Sequence, residues 1–217
     1  MSVDTREYFE SVADKWDEMR RSFFGEGVRN AAIAAADINS SSVVADVGVG
    51  TGFIAERALA AGAHVIGVDS SERMLAQAQK RFADQRFETR VGDVESLPLR
   101  TAEVDVVFAN MVLHHAPDPH LAIREMSRVL KPGGKLVITD ADIHTHEWLR
   151  TEQHDRWLGF ERTDVARWFG DAGLVNVTVA DTSELCCPTS ECGTKAAITI
   201  FLAKGIKPDR QSEVASV

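Results

Sequence analysis

Apolar and polar positions along the chain follow two different periods. Continuous, largely β-branched apolar runs occupy residues 43–47, 64–68, 105–109, 135–139, 173–179 and 196–203, with a short, less apolar one at 87–91. Such runs read as strands covered on both faces. Between them, at 53–61, 72–83, 120–130 and 162–172, apolar residues recur every third or fourth position, the period of helices that pack by one face. Strand alternating with helix predicts an α/β fold built on a mostly parallel sheet. Upstream, Tyr8, Phe9, Val12, Ala13, Trp16 and Met19 share a helical spacing, so 4–21 reads as one amphipathic helix. Residues 25–38 read as an Ala-rich helix and 146–158 as a further one carrying His154 and Trp157.

The first strand breaks into Asp46-Val-Gly48-Val-Gly50-Thr-Gly52. Glycines at this spacing allow positive φ and a close approach of backbone to a ligand, and the following helix turns its N-terminal N–H groups toward an anionic or polar group. A dinucleotide fingerprint, G-x-G-x-x-G, would need glycine where the chain has Phe53, which argues against a nicotinamide dehydrogenase. The second strand ends in Asp69, about 20 residues past the glycines, where a βαβ unit brings a carboxylate to a ribose diol. Asp69, Ser70 and Ser71 also stand where a helix N-cap is needed, so both roles are open.

The D-x-G-x-G-x-G turn resembles motif I of the class I S-adenosylmethionine (SAM) methyltransferases, which have a Rossmann-like seven-stranded sheet with helices on both faces and an antiparallel last strand. The stretch Arg-Val-Leu-Lys-Pro-Gly-Gly-Lys-Leu at 128–136 is similar to the segment before their fifth strand. Tyr-Phe-x-x-x-Ala-x-x-Trp-Asp at 8–17 looks like the N-terminal helix that lids the pocket in small-molecule members related to quinone-biosynthesis enzymes. The resemblance implies that Gly48, Gly50 and Gly52 pack against the amino-acid and ribose parts of SAM and that Asp46 orients their turn. It further implies that Asp93 and the Val94 backbone read the adenine, and that Tyr8 and Trp16 sit on the lid. Met74 is placed to pack near the adenine or simply in the core. Asn110, at the carboxyl end of the fourth strand, lies where open α/β sheets hold ligands.

At 217 residues and 44% hydrophobic content the chain suits one α/β domain. The expected division is a lid over 1–39, a SAM-binding core over 40–145, a substrate side over 146–205 and a flexible tail over 206–217. A net charge of −9 argues against a grip on nucleic acid or anionic membrane. No apolar run is long enough to span a bilayer and the N-terminus lacks signal-peptide features. A small molecule is the expected partner and the cytoplasm the expected compartment; oligomeric state is not legible.

Three clusters are candidates for acceptor chemistry. His114 and His115 follow the fourth strand as general base, substrate contact or structural hydrogen-bonders. His144 and His146 lie among Asp140, Asp142 and Glu147; base or substrate contact is preferred there over a metal, so no metal is assigned. Cys186, Cys187 and Cys192 fall in the expected loop 183–194. They suggest a thiol or metalloid acceptor such as arsenite, or are merely reduced loop cysteines. A non-catalytic SAM-binding protein is the remaining alternative.

Overall fold

The computed structural model describes residues 5–209. Seven strands, β1 (Val43–Val47), β2 (His64–Asp69), β3 (Phe87–Val91), β4 (Val104–Asn110), β5 (Leu130–Ala141), β6 (Val175–Cys186) and β7 (Ile198–Ile206), form one sheet in the order β3-β2-β1-β4-β5-β7-β6. The pairs from β3 to β5 are parallel, while β7 runs antiparallel to both β5 and β6. The pleat sends alternate residues to two cores. Val44, Val65, Phe108 and Val137 face one, and Ala45, Ile66, Val107 and Ile138 face the other. Helices α3 (Glu26–Ala36) and α4 (Phe53–Ala60) cover the first face. Helices α6 (Pro119–Val129) and α8 (Arg162–Asp171) cover the second.

From β1 the order runs outward to β2 on one side and to β4 on the other. This reversal opens a crevice at the carboxyl ends of β1 and β4, the place where such sheets bind ligands. Helix α5 (Glu72–Arg81) flanks it.

Four expectations are corrected. The single N-terminal helix is two, α1 (Thr5–Val12) and α2 (Trp16–Phe23), broken at 13–15. In one continuous helix Phe9 and Trp16 would stand about 10 Å apart along the axis; the break lets their rings meet edge to face at 5.3 Å. The helix expected over 146–158 shrinks to α7 (Trp148–Glu152). It stops because His154 takes a left-handed φ of 60° and the N–H groups of Arg156 and Trp157 both donate to the His114 carbonyl, at 3.0 and 3.1 Å. Strand β6 runs as far as Cys186, which is therefore a buried strand residue and not part of a loop. Finally, β7 includes Ile206, and the Lys207 N–H donates to the Gly134 carbonyl at 2.8 Å. The expected tail thus starts later than 206, and its part beyond 209 lies outside the described residues. No described helix is long and apolar enough to cross a membrane.

Candidate active site

A cavity of about 580 Å³ occupies the crevice, walled by the β1, β2 and β4 ends and roofed by α1 and α2. Tyr8, Trp16, Gly48, Gly50, Asp69, Ser70, Met74, Asp93, Val94, Asn110, His114, His115, His144 and Cys186 all line it. Asp46, Gly52, His146, Cys187 and Cys192 are not on its wall.

The glycine turn explains part of that division. Gly50, at φ 52°, donates its N–H to Asp69 Oδ2 at 2.8 Å, and a Cβ there would come within 3.3 Å of the Trp16 indole nitrogen. Gly50 is thus the glycine pressed between the lid and the cavity. Gly52, at φ 95°, has a different reason to be glycine: a Cβ would stand 2.3 Å from the Phe82 ring. Packing against Phe82 is thus reason enough for glycine at this position. A Cβ on Gly48, at φ 67°, would stand 2.5 Å from the Val112 side chain. Asp46 is buried beneath the turn, its Oδ2 accepting the Ala55 N–H at 2.9 Å in the first turn of α4. It orients the turn from behind and does not touch the cavity. Burial pushes its carboxyl up to about 8, the Ala55 N–H opposing and Asp69 adding to the shift.

The two roles open to Asp69 also separate. The N-cap of α5 is Ser71, whose Oγ accepts the Met74 N–H at 3.1 Å. Asp69 buttresses that cap through Ser71 N–H, at 2.9 Å, and ties it to the glycine turn. Burial raises its pKa, against the lowering effect of these backbone donors. Met74 is fully buried and still lines the wall. Asn110 Oδ1 accepts from the Thr139 hydroxyl at 2.8 Å, which leaves the amide NH2 for a ligand.

Arg20 was not singled out from the sequence. It is buried on the cavity wall, 4.0 Å over the Phe53 ring, with its Nε lacking any hydrogen-bond partner. Burial lowers its pKa. The available signal was an arginine four residues after Trp16, on the lid face otherwise taken by apolar rings.

At the other end, β5 delivers Asp140, fully buried, beside the 3₁₀ turn Leu113–His115. Asp140 Oδ2 accepts the Leu113 N–H at 2.9 Å, and Oδ1 lies 2.7 Å from His114 Nδ1. On the far side of the ring, His114 Nε2 is 3.7 Å from Asp155 Oδ1. Burial disfavours charge on His114, but the two carboxylates outweigh it and lift the pKa to about 9. His115 Nδ1 lies 3.2 Å from the His154 carbonyl, which accepts only, so the proton sits on Nδ1 and Nε2 keeps its lone pair. Burial and the neighbouring His114 hold His115 well below its ordinary value. Burial raises Asp155 to about 6, His114 opposing. Phe9 packs edge-on against His115 at 5.1 Å, and the Tyr8 hydroxyl donates to Gln153 Oε1 at 2.8 Å; both close the roof over this end.

The other two clusters are less coherent. His144 lines the cavity, and burial with its neighbouring imidazoles lowers it to about 4. Its expected partners are engaged elsewhere: Asp142 with Arg162 at 2.6 Å, Glu147 with Arg150 at 3.0 Å, and Asp140 with His114. The three cysteines do not converge. Among the described residues the group of three ligating side chains that does is His114, His115 and Asp155. Burial raises the Cys186 thiol to about 12, and Cys187 and Cys192 are exposed.

Residues 45–138 match the family described as Methyltransferase domain. The demethylmenaquinone methyltransferase of Thermobifida fusca is 35% identical over 77% of this chain and 73% of its own length. The arsenite methyltransferase of Halobacterium salinarum is 34% identical over 60% of this chain and 33% of its own length. The chain spans 33% to 46% of the length of several curated relatives it matches. Among solved structures, the Haemonchus contortus phosphoethanolamine N-methyltransferase 2 complex with phosphomonomethylethanolamine and S-adenosylhomocysteine superposes with a TM-score of 0.78 at 18% identity, over 95% of this chain and 61% of that one.

Proposed function

The chain belongs to the SAM-dependent methyltransferases, and we propose that it transfers the methyl group of SAM to a small-molecule acceptor held at the His114–His115 end of its cavity. The observation that carries this reading is the polarity of one continuous roofed cavity. One end offers a carboxylate, a glycine turn and an arginine whose Nε has no hydrogen-bond partner, and the other a compact imidazole–carboxylate cluster. SAM supplies a methyl group on a positively charged sulfur that leaves as a neutral thioether.

The chain's own residues bind, align and dry that reaction. Asp69 is the proposed acceptor for the ribose diol and Arg20 the partner for the cofactor's carboxylate. Asp93 and the Val94 backbone would read the adenine, and the Asn110 NH2 the amino-acid end. Trp16 over Gly50 and Phe9 over His115 exclude water from both ends, which favours methyl transfer to a desolvated nucleophile. Of the three histidines expected in catalysis, His146 is off the wall, so the acceptor's partners reduce to His114 and His115, with His144 beside them. A quinol-like acceptor is supported by the Thermobifida relative. The metalloid alternative has the Halobacterium relative but no convergence of thiols. The cytoplasm, where three unpaired cysteines stay reduced, is the compartment this reading implies.

Calorimetric titration with SAM, followed by turnover of methyl-labelled SAM against hydroquinones, phenols, amines and arsenite, tests the proposal. Binding together with acceptor-dependent formation of S-adenosylhomocysteine is the expected result. Binding without turnover on any of these acceptors would favour a non-catalytic SAM-binding protein.

A further inference from the structure

We propose that His114, His115 and Asp155 form a site for one divalent transition-metal ion, of the zinc class, at the acceptor end of the cavity. One ligand atom from each residue lies within 4.8 Å of the other two. Ligands about 2 Å from a tetrahedral ion stand roughly 3.4 Å apart, so closure asks for a contraction of up to about 1.4 Å, within the reach of side-chain adjustment.

The groups behind the ligands favour the same assignment. His114 is held by Asp140 through Nδ1, at 2.7 Å, which leaves Nε2 outward. This carboxylate–histidine pairing is the one that orients imidazoles toward metals. His115 is likewise fixed through Nδ1 by the His154 carbonyl, at 3.2 Å, and keeps an unprotonated Nε2. The Asp155 carboxylate makes no hydrogen bond among the described residues. Its 3.7 Å approach to His114 Nε2 is too long to be one. The Asp155 N–H bonds the Leu149 carbonyl at 3.3 Å and the next two N–H groups bond the His114 carbonyl, so the third ligand is strapped to the first by backbone.

Two imidazoles and one carboxylate with positions left open are the donor set of catalytic zinc and non-haem iron centres rather than of closed structural ones. All three residues line the cavity, so the open positions face the acceptor. An oxygen donor such as a phenol or enol fits there, because a divalent ion binds such an oxygen and lowers its pKa. The inference deepens the proposed function by naming how the acceptor is held, yet ion binding itself does not depend on methyl transfer.

The test uses the full chain, stripped with a chelator and titrated with Zn²⁺ by calorimetry and with Co²⁺ by visible absorption. One equivalent of Zn²⁺ and the intense Co²⁺ bands of a four- or five-coordinate site are expected. His115→Ala and Asp155→Asn should each weaken Zn²⁺ by at least about tenfold, and Asp140→Asn by about tenfold through loss of the orienting carboxylate. Cys187→Ser with Cys192→Ser should leave Zn²⁺ binding unchanged. SAM titration of the same preparations confirms that the variants are folded and reads the methyltransferase proposal separately. Wild-type protein that takes up no Zn²⁺, or His115→Ala and Asp155→Asn variants that bind it as wild type does, would overturn the inference.

Discussion

Gly50 and Gly52 are two residues apart and fail differently when a methyl group is added. Gly52→Ala drives a Cβ to within 2.3 Å of Phe82 at a left-handed φ. It should cost about 3 kcal/mol of stability by chemical denaturation. Gly50→Ala meets only the indole edge, at 3.3 Å, so its main loss should appear in SAM titration. Asp69→Ala should weaken SAM by about 2 kcal/mol in calorimetry, since the carboxylate both faces the cavity and sets the Gly50 N–H. Asp46 carries a pH prediction. Its folded pKa is raised from 3.8 to about 8, so ionisation costs stability progressively as pH climbs from 4 to 8. Asp46→Asn keeps an acceptor for the Ala55 N–H and cannot ionise. Its melting temperature should therefore match wild type near pH 4 and exceed it increasingly toward pH 8. A wild-type advantage at pH 8 would mean that the charge itself holds the turn. The motif spelled out this turn, but sequence alone could not say which glycine lines the cavity and which packs on Phe82. That depends on a ring thirty residues away.

The strands and the core helices were legible because each buries a face and so carries its period in the sequence. The lid was half legible. Its apolar spacing was visible, whereas the break at 13–15 follows from a tertiary contact between Phe9 and Trp16 that spacing cannot express. Helix α1 has no fully buried residue and is held by Tyr8 on Gln153, Phe9 on His115 and, over the break, Asp14 on Arg73. Elements with so few buried contacts open at a fraction of the global stability. Trypsin should therefore cut first after Arg6 or Lys15, and S-adenosylhomocysteine at about a hundred times its dissociation constant should slow that cut by up to about two orders of magnitude, as read by mass spectrometry. A cut whose rate ignores the ligand would separate the lid from the cofactor.

Across the whole molecule, the site draws on residues from Thr5 to Ile198, and what was hidden in the sequence is what distant segments bring together. Asp155 was not picked out because nothing near it in sequence marks a carboxylate that the 153–157 turn swings beneath His114. Arg20 carried a signal in its spacing from Trp16, but its burial on Phe53 comes from a distant segment. The sheet order has a consequence for the chain as it is made. Strand β7, made after both β5 and β6, lies between them, and it pairs with β5 from Lys135 to Ala141. Until it emerges, β5 is an uncovered sheet edge and β6 has no neighbour at all. Until β7 is made the nascent chain therefore holds its β5 edge open to the wrong partners, and release of a chain stopped before Ile198 would leave that edge bare for good.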